Sequence, residues 1–333
     1  MITELSDEAQ EYGRQASRAF EAAGGDELVQ RGEADPALRQ DLVAPVLAEL
    51  GAWDLDPAGS ADELEAAAAL CRSAGRWAIP HPIAERLSRP SDLDVDGLVV
   101  VADHAPAAAI GGTDLRWAAV HLDGRRSRAT VLPMTATPRK SAFVAPLDLE
   151  PLDDGSSGGQ GSDDLARALV LPCWTLLGML DRAIDLTCAY VQEREQFGQP
   201  LAGFQSVQFQ LTDAEVERTG VEQLATYALW SVQAGRPEAV EDALALRLAA
   251  IDAAEVVFRI THQLHGAIGF CDETFLSWLS RSSQPLRRLP LGRAATTQEL
   301  TRLLGRHVGR APLAHRGAER FEIARHVGAH QAE

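Results

Sequence analysis

The stretch Tyr190–Asp213, YVQEREQFGQPLAGFQSVQFQLTD, lies between two strongly helical segments and sets Arg194, Phe197, Gly198 and Gln205 at close intervals. Upstream, Asp163–Glu193 reads as one long helix, with Leu169, Leu176, Leu180 and Ile184 near helical spacing. Pro172 either kinks it or belongs to its first turns. Downstream, Phe204–Ala234 is a second helix, Gly235-Arg236-Pro237 a turn, and Glu238–Ala267 a third helix with Leu244, Leu248, Ile251, Val256 and Ile260 on its buried side. Shorter helices are expected over Glu273–Ser282 and Ala294–Arg306. Long helices with short connections predict an antiparallel four-helix bundle over residues 163–333.

Working back toward the N-terminus, Asp153–Ser162 (DDGSSGGQGS) reads as a flexible linker over residues 153–162. Before it, residues 96–152 change character. Leu98–Ala102, Trp117–Leu122, Ala129–Pro133 and Ala142–Leu147 are short apolar or alternating runs, and Asp123-Gly124 is a turn signal between two of them, so a small β-region is expected. Residues 1–95 read as a helical domain. Its helices are Asp7–Ala23, Asp35–Leu50 with Pro36 near its start and Gly51 past its end, and Ala61–Gly75. The fold class is therefore mainly α with a small β-region.

Composition narrows the function. The chain has 333 residues, 46% of them hydrophobic and 24% charged, an ordinary globular composition with room for a large core. A net charge of -17 and the lack of a basic tract argue against a nucleic-acid partner, while leaving room for a locally basic pocket that takes a phosphorylated ligand. Cys71, Cys173, Cys188 and Cys271 have no metal spacing and suit reduced thiols in the cytoplasm. The start lacks the basic and apolar regions of a signal peptide, and no uninterrupted apolar run is long enough for a bilayer, so no membrane contact is expected.

The residues of the two stretches carry the chemistry. A guanidinium at Arg194 can hold pyrophosphate oxygens in bidentate fashion, and Phe197 can stack on a flat ring. In the second stretch, Gln263–Phe270 (QLHGAIGF), Gln263 offers an amide, as Gln205 does in the first, and Gly266 and Gly269 allow close backbone approach. Together these suit the pyrophosphate and adenine of a dinucleotide. Taken singly, Arg194 can instead pair with Glu193 or Glu195, Phe197 can be core, and the glycines can simply end a helix. His262 and His265 share a helix face, but with no third ligand nearby a metal is not expected. Arg281, Arg287, Arg288 and Arg293 form a basic cluster, read either as a solvated face or as a contact for phosphates or an acidic surface.

The two stretches, in this order on a helical frame, resemble the C-terminal domain of the FAD-dependent acyl-CoA dehydrogenases. The phrases AELGAWDL and SAGRWAIPHP resemble that family's N-terminal helical domain more loosely. The resemblance implies an N-terminal helical domain, a reduced middle β-domain and a C-terminal four-helix bundle. It also implies that Arg194, Phe197 and Gln263, with Gly266 and Gln205 alongside, contact the ADP half of an FAD seated mainly in a neighbouring subunit. Ala267 stands where the family often has another glycine.

The reaction so implied is α,β-desaturation of an acyl-CoA thioester, in which a carboxylate removes the α-proton and FAD takes the β-hydride. The family places its glutamate at one of two positions. Here those positions hold Ala168 and, in RRLPLGRAAT, Pro290; neither accepts a proton. Asp164, one turn before Ala168, is a weak substitute, since an aspartate at a helix start more often caps. Asp272 and Glu273 also fall at a helix start, where acids favour the dipole, and are read as structural. The β-region is short and lacks the family's flavin-facing phrases, Gly111-Gly112-Thr113 being the nearest small-residue cluster. The pattern resembles the shorter, base-lacking subunits of actinobacterial α2β2 acyl-CoA dehydrogenases, some of which act on CoA esters of steroid side chains. It implies a longer catalytic partner subunit, an acyl-CoA substrate, an FAD shared at the subunit interface, and an oligomer. The alternatives are a self-sufficient homo-oligomeric flavoenzyme with a displaced base, and a non-catalytic ligand-binding or assembly protein of the same fold.

Overall fold

The computed structural model describes residues 4–133, 143–152 and 159–310. Five helices come first: α1 (Asp7–Ala22), α2 (Glu27–Ala34), α3 (Arg39–Glu49), α4 (Ala61–Arg76) and α5 (Ile83–Leu87). Local chemistry starts and stops them. The Ser6 and Ser60 hydroxyls accept from the amides of Ala9 and Glu63 at the heads of α1 and α4. Asp35 caps a short 3-10 turn at Pro36–Leu38, so the single helix expected over Asp35–Leu50 is a turn followed by α3. Helices α2 and α5 lie in segments that sequence periodicity left unassigned.

A five-stranded sheet follows, from β1 (Gly97–Val101), β2 (Ala107–Ala108), β3 (Trp117–His121), β4 (Arg126–Val131) and β5 (Ala145–Pro151), in the order β1-β3-β4-β5-β2. β1 and β3 are parallel and the other pairs antiparallel. Period-2 alternation divides its side chains between two cores. Leu98, Ala118 and Val120 join the main helical core, whereas Val99, Val101, Trp117 and Ala119 form a smaller core with Ala108, Ile110 and Leu147. The strand expected from Ala129 begins at Arg126, directly after the Asp123-Gly124 turn, where Gly124 has φ +86°. Its charged first residue hid it: Arg126 is buried because it pairs with Asp92 (2.7 Å) and Asp164 (3.2 Å). The run expected over Ala142–Leu147 is realised three residues later, as β5, and residues 134–142 lie outside the described residues.

The remainder is helical: α6 (Gly159–Glu193), α7 (Gln205–Gln233), α8 (Ala239–His265), α9 (Phe275–Arg288) and α10 (Arg293–Arg310). Helices α6, α7 and α8 pack on one another, α10 packs against α8 as the fourth member, and α9 lies on α6 and α8. Helix α6 begins four residues before the expected end of the linker, so residues 159–162 are helical; residues 153–158 lie outside the described residues. Leu169, Leu176, Leu180 and Ile184 are buried as periodicity requires. On α8 the buried face is turned slightly from the expected one, through Leu246, Ala250, Ala253 and Val257, leaving Leu248 and Val256 half-buried.

Helix α4 clamps the N-terminal helices to this bundle. A Cβ on Gly75 would strike the Thr175 carbonyl, and one on Gly178 would strike the Arg72 carbonyl, so the two glycines let α4 and α6 touch backbone to backbone. Beside that contact, Arg72 and Arg218 each reach both Asp181 and Glu222, at 2.6–3.2 Å, tying α4, α6 and α7 together.

Candidate functional site

The end of α6, the start of α7 and the end of α8 meet at one end of the bundle. Helix α6 gives way at Arg194 to a two-residue hairpin, with Glu195–Gln196 paired to Gln199–Pro200. Phe197 and Gly198 form its tip at φ +54° and +83°. Positive φ at both turn positions matches the twist of a tight hairpin but is a costly conformation for phenylalanine. Phe197 is 91% exposed and meets only the edge of Phe204, 6.2 Å between ring centroids. It is therefore not core. Arg194 is exposed, and among the described residues its guanidinium has no ion pair, so the pairing with Glu193 or Glu195 does not form. Gln205, the first residue of α7, is exposed as well.

The second stretch ends α8. Gly266 takes φ +66° as the residue after the helix, and nothing lies within 4 Å of where its Cβ would be. Gln263 is exposed one turn earlier. The link between the stretches is Tyr190, whose ring stacks on that of His265 at 4.5 Å and 16°. The structure thus brings Arg194, Phe197, Gln205, Gln263 and Gly266 to one end of the bundle, as open surface. Ile268 and Phe270, in the Gly266–Phe270 turn, are also exposed, and Phe270 stacks on His262 at 4.3 Å. His265 Nδ1 is held by the Thr261 carbonyl at 2.9 Å, and no group of three metal-ligating side chains occurs among the described residues.

An exposed guanidinium without an ion pair, an exposed aromatic ring, two exposed amides and an open backbone glycine fit the ADP portion of a flavin dinucleotide. Among the described residues of the β-region, the Gly111-Gly112-Thr113 cluster offers the flavin-ring portion no such fit. Gly111 donates to the Phe143 carbonyl at 2.8 Å, a Cβ on Gly112 would strike Pro36, and the Thr113 hydroxyl donates to Ile110 at 2.7 Å. The nearest small-residue cluster is thus a packed turn. Arg39 anchors it, donating to the carbonyls of Pro80, Gly111 and Ala109 with its guanidinium 3.7 Å over the Phe143 ring. Burial pushes the Arg39 pKa down to about 9.

Ala168 and Pro290, the two positions at which the resemblance puts a base, line a single small pocket between α6, β1 and the α9–α10 connection. Pro172 lines it too, and lacks the N–H that would bond the Ala168 carbonyl within α6. Arg247, buried in α8, donates to the carbonyls of Leu286, Leu289 and Leu291 and so pins the loop around Pro290. Sequence reading took Arg247 for part of a helix and missed this role; its place on the buried face of an amphipathic pattern was the available signal. Glu85, from α5, is the carboxylate on this cavity's wall. Burial raises its pKa, opposed by its own backbone amide and by Arg39.

Asp164 needs correction. It lies inside α6 rather than at its head, so it caps nothing, and its carboxylate is shared between Arg167 (2.6 Å) and Arg126 (3.2 Å). Burial raises its pKa against the pull of those two cations. It does not line the Ala168 cavity. The basic cluster also disperses: Arg281 pairs with Asp272 at 2.8 Å, Arg293 pairs with Asp252, and Arg287 lies over Phe258.

A helical N-terminal layer, a small sheet and a long-helix C-terminal bundle define the acyl-CoA dehydrogenase class of fold. Solved structures agree. A variant of the Tcur3481-Tcur3483 steroid ACAD superposes with a TM-score of 0.73 at 21% identity, over 92% of this chain and 100% of that one. The ChsE4-ChsE5 complex from Mycobacterium tuberculosis gives 0.72 at 18% identity, over 94% and 100%. Residues 164–294 match the family described as acyl-CoA dehydrogenase, C-terminal domain. Acryloyl-CoA reductase (NADH) of Anaerotignum propionicum is 32% identical over 108 residues, 32% of this chain and 27% of that protein. The probable acyl-CoA dehydrogenase YngJ of Bacillus subtilis is 36% identical over 97 residues, 29% and 25% respectively. The match thus spans about a quarter of each of these two curated relatives. This chain has the acyl-CoA dehydrogenase fold, and its residues 164–294 are similar to that family's C-terminal domain.

Proposed function

We propose that this chain is the non-catalytic subunit of a hetero-oligomeric FAD-dependent acyl-CoA dehydrogenase and completes its partner's FAD site. The observation that carries this reading is the contrast between two places in the fold. Arg194, Phe197, Gln205, Gln263 and Gly266 stand exposed at one end of the bundle, while the cavity of Ala168 and Pro290 has no carboxylate at either position.

In the assembly Arg194 would hold the pyrophosphate, Phe197 would cover a flat ring, and Gln205, Gln263 and the Gly266 backbone would take the remaining polar atoms of the ADP half. Bound flavin supplies a hydride acceptor. The base that takes the α-proton belongs to the longer partner, which also provides the flavin-facing β-domain. A bulky acyl-CoA, such as a steroid side-chain ester, is the substrate class suggested by the two steroid-enzyme and ChsE neighbours. Both Asp164 oxygens are held by guanidinium groups, which disfavours the self-sufficient enzyme with Asp164 as its base.

The test is purification of the chain alone and with a co-expressed longer subunit that bears the glutamate. The chain alone should be flavin-poor and without acyl-CoA dehydrogenase turnover, and the pair yellow and active. A yellow, active chain on its own would overturn the reading; a pair that assembles without flavin would favour the assembly-protein alternative.

A further inference from the structure

Helix α7 turns one side to α6 and α8, where Ala214, Val221, Ala225 and Leu229 are buried, and leaves the other side exposed. On that outer side Phe209 is 60% exposed, Val216 64% and Leu224 40%. Val216, Gly220 and Leu224 are spaced four apart and form one ridge along the helix; Phe209, Asp213 and Glu217 form the next. Gly220 notches the first ridge. It is exposed, and nothing lies within 4 Å of where its Cβ would be. A glycine inside a helix costs stability relative to alanine, and the chain's own packing does not require this one. A notch between two exposed apolar side chains is what lets a second helix approach closely.

Charge decides which helix that is. Arg218 is the one basic residue of α7, and it is engaged by Glu215 (2.7 Å), Glu222 (2.8 Å) and Asp181 (3.2 Å). Asp213 and Glu217 are exposed and have no ion pair among the described residues. The outer side therefore shows apolar side chains edged by uncompensated carboxylates. A second copy of this chain crossing at Gly220 would bring its own Glu217, three residues from the notch, to a distance on the order of 10 Å from the first. Like charges at that separation still repel at physiological salt. A helix that carries cations meets no such opposition.

We propose that the outer side of α7 docks a helix of a different subunit, one that lays an apolar ridge across the Gly220 notch and carries Lys or Arg where it passes Asp213 and Glu217. The inference rests on the hetero-oligomer of the proposed function. It does not rest on the flavin, because none of these residues belongs to the Arg194 surface.

The full chain is co-expressed with the longer, glutamate-bearing subunit, and the dissociation constant of the complex is measured by sedimentation for wild type and variants. Val216→Glu and Gly220→Leu should each weaken association by about tenfold or more. Gly220→Leu should at the same time raise the thermal midpoint of the isolated chain, because leucine favours a helix over glycine; damage to the fold would not give that split. Asp213→Lys combined with Glu217→Lys should also weaken association by about tenfold or more, and Asp213→Asn combined with Glu217→Gln by less. Unchanged dissociation constants in Val216→Glu and Gly220→Leu overturn the docking face and leave the hetero-oligomer standing. A charge reversal that leaves or improves the affinity overturns the basic partner. Self-association of the isolated chain that Val216→Glu abolishes gives the face to a second copy and overturns the proposal. No association of the wild-type chain with the longer subunit removes the hetero-oligomer and this inference with it.

Discussion

Tyr190 and His265 stack face to face, 4.5 Å between ring centroids, and this contact ties the last turn of α6 to the last turn of α8. Four residues beyond Tyr190 comes Arg194, and one beyond His265 comes Gly266. The stack therefore sets the distance between the two halves of the candidate cofactor surface. In a double-mutant cycle with Tyr190→Leu and His265→Leu, a coupling of about 0.5–1.5 kcal/mol is expected, read from urea unfolding of the four proteins. Additive losses would show that the rings only fill space.

Phe197 is at a hairpin tip with positive φ and meets little. Phe197→Gly removes a left-handed conformation that costs about 1–2 kcal/mol, offset by about 0.5–1 kcal/mol of glycine flexibility. Stability should thus stay within about 1 kcal/mol of wild type, while flavin content of the assembly falls. A core phenylalanine would instead cost about 3–5 kcal/mol. Thermal unfolding and flavin absorbance of the same samples separate the two roles.

Ala168→Glu places a carboxylate at one of the two positions where the resemblance puts a base. It should leave the isolated chain without turnover, because in the proposed assembly the longer partner provides the flavin-facing β-domain. A stability loss of about 1–3 kcal/mol is expected for placing a polar group at a position only 6% exposed. Acyl-CoA-dependent dye reduction by the variant alone would contradict this.

Glu85 carries a pH dependence. Its folded pKa is raised by burial, so its favourable contribution is present below the ordinary glutamate value of 4.5 and is lost as pH climbs through the raised folded value. Glu85→Gln lacks that loss. The stability of the variant relative to wild type should therefore rise with pH across this window and then level off. A difference that is flat with pH would show that the carboxyl titrates alike folded and unfolded.

Much of this was legible in the sequence. Long helices with a clear apolar period, such as α6 and α7, and the order of the EREQFG and GAIGF stretches led directly to the fold and to one end of the bundle. What stayed hidden depended on distant partners. Arg126 sits in a strand because Asp92 and Asp164 neutralise it, and Asp164 is in mid-helix because α6 begins at Gly159. Arg247 is buried because three carbonyls around Pro290 receive it. Glu85 meets Ala168 and Pro290 at one pocket only after α5 and α9 have packed beside α6. No spacing rule encodes such meetings, since each joins residues far apart in the chain.

The central claim, that this chain completes a flavin site, is tested most directly at Arg194. Flavin absorbance per assembly is measured after gel filtration of wild type, Arg194→Ala and Arg194→Lys, each co-purified with the longer subunit. Loss of a charge-assisted contact predicts weaker flavin retention in Arg194→Ala by about 1.5–3 kcal/mol, with only partial recovery in Arg194→Lys, whose ammonium lacks the planar fork. Equal flavin content in all three assemblies would contradict the account.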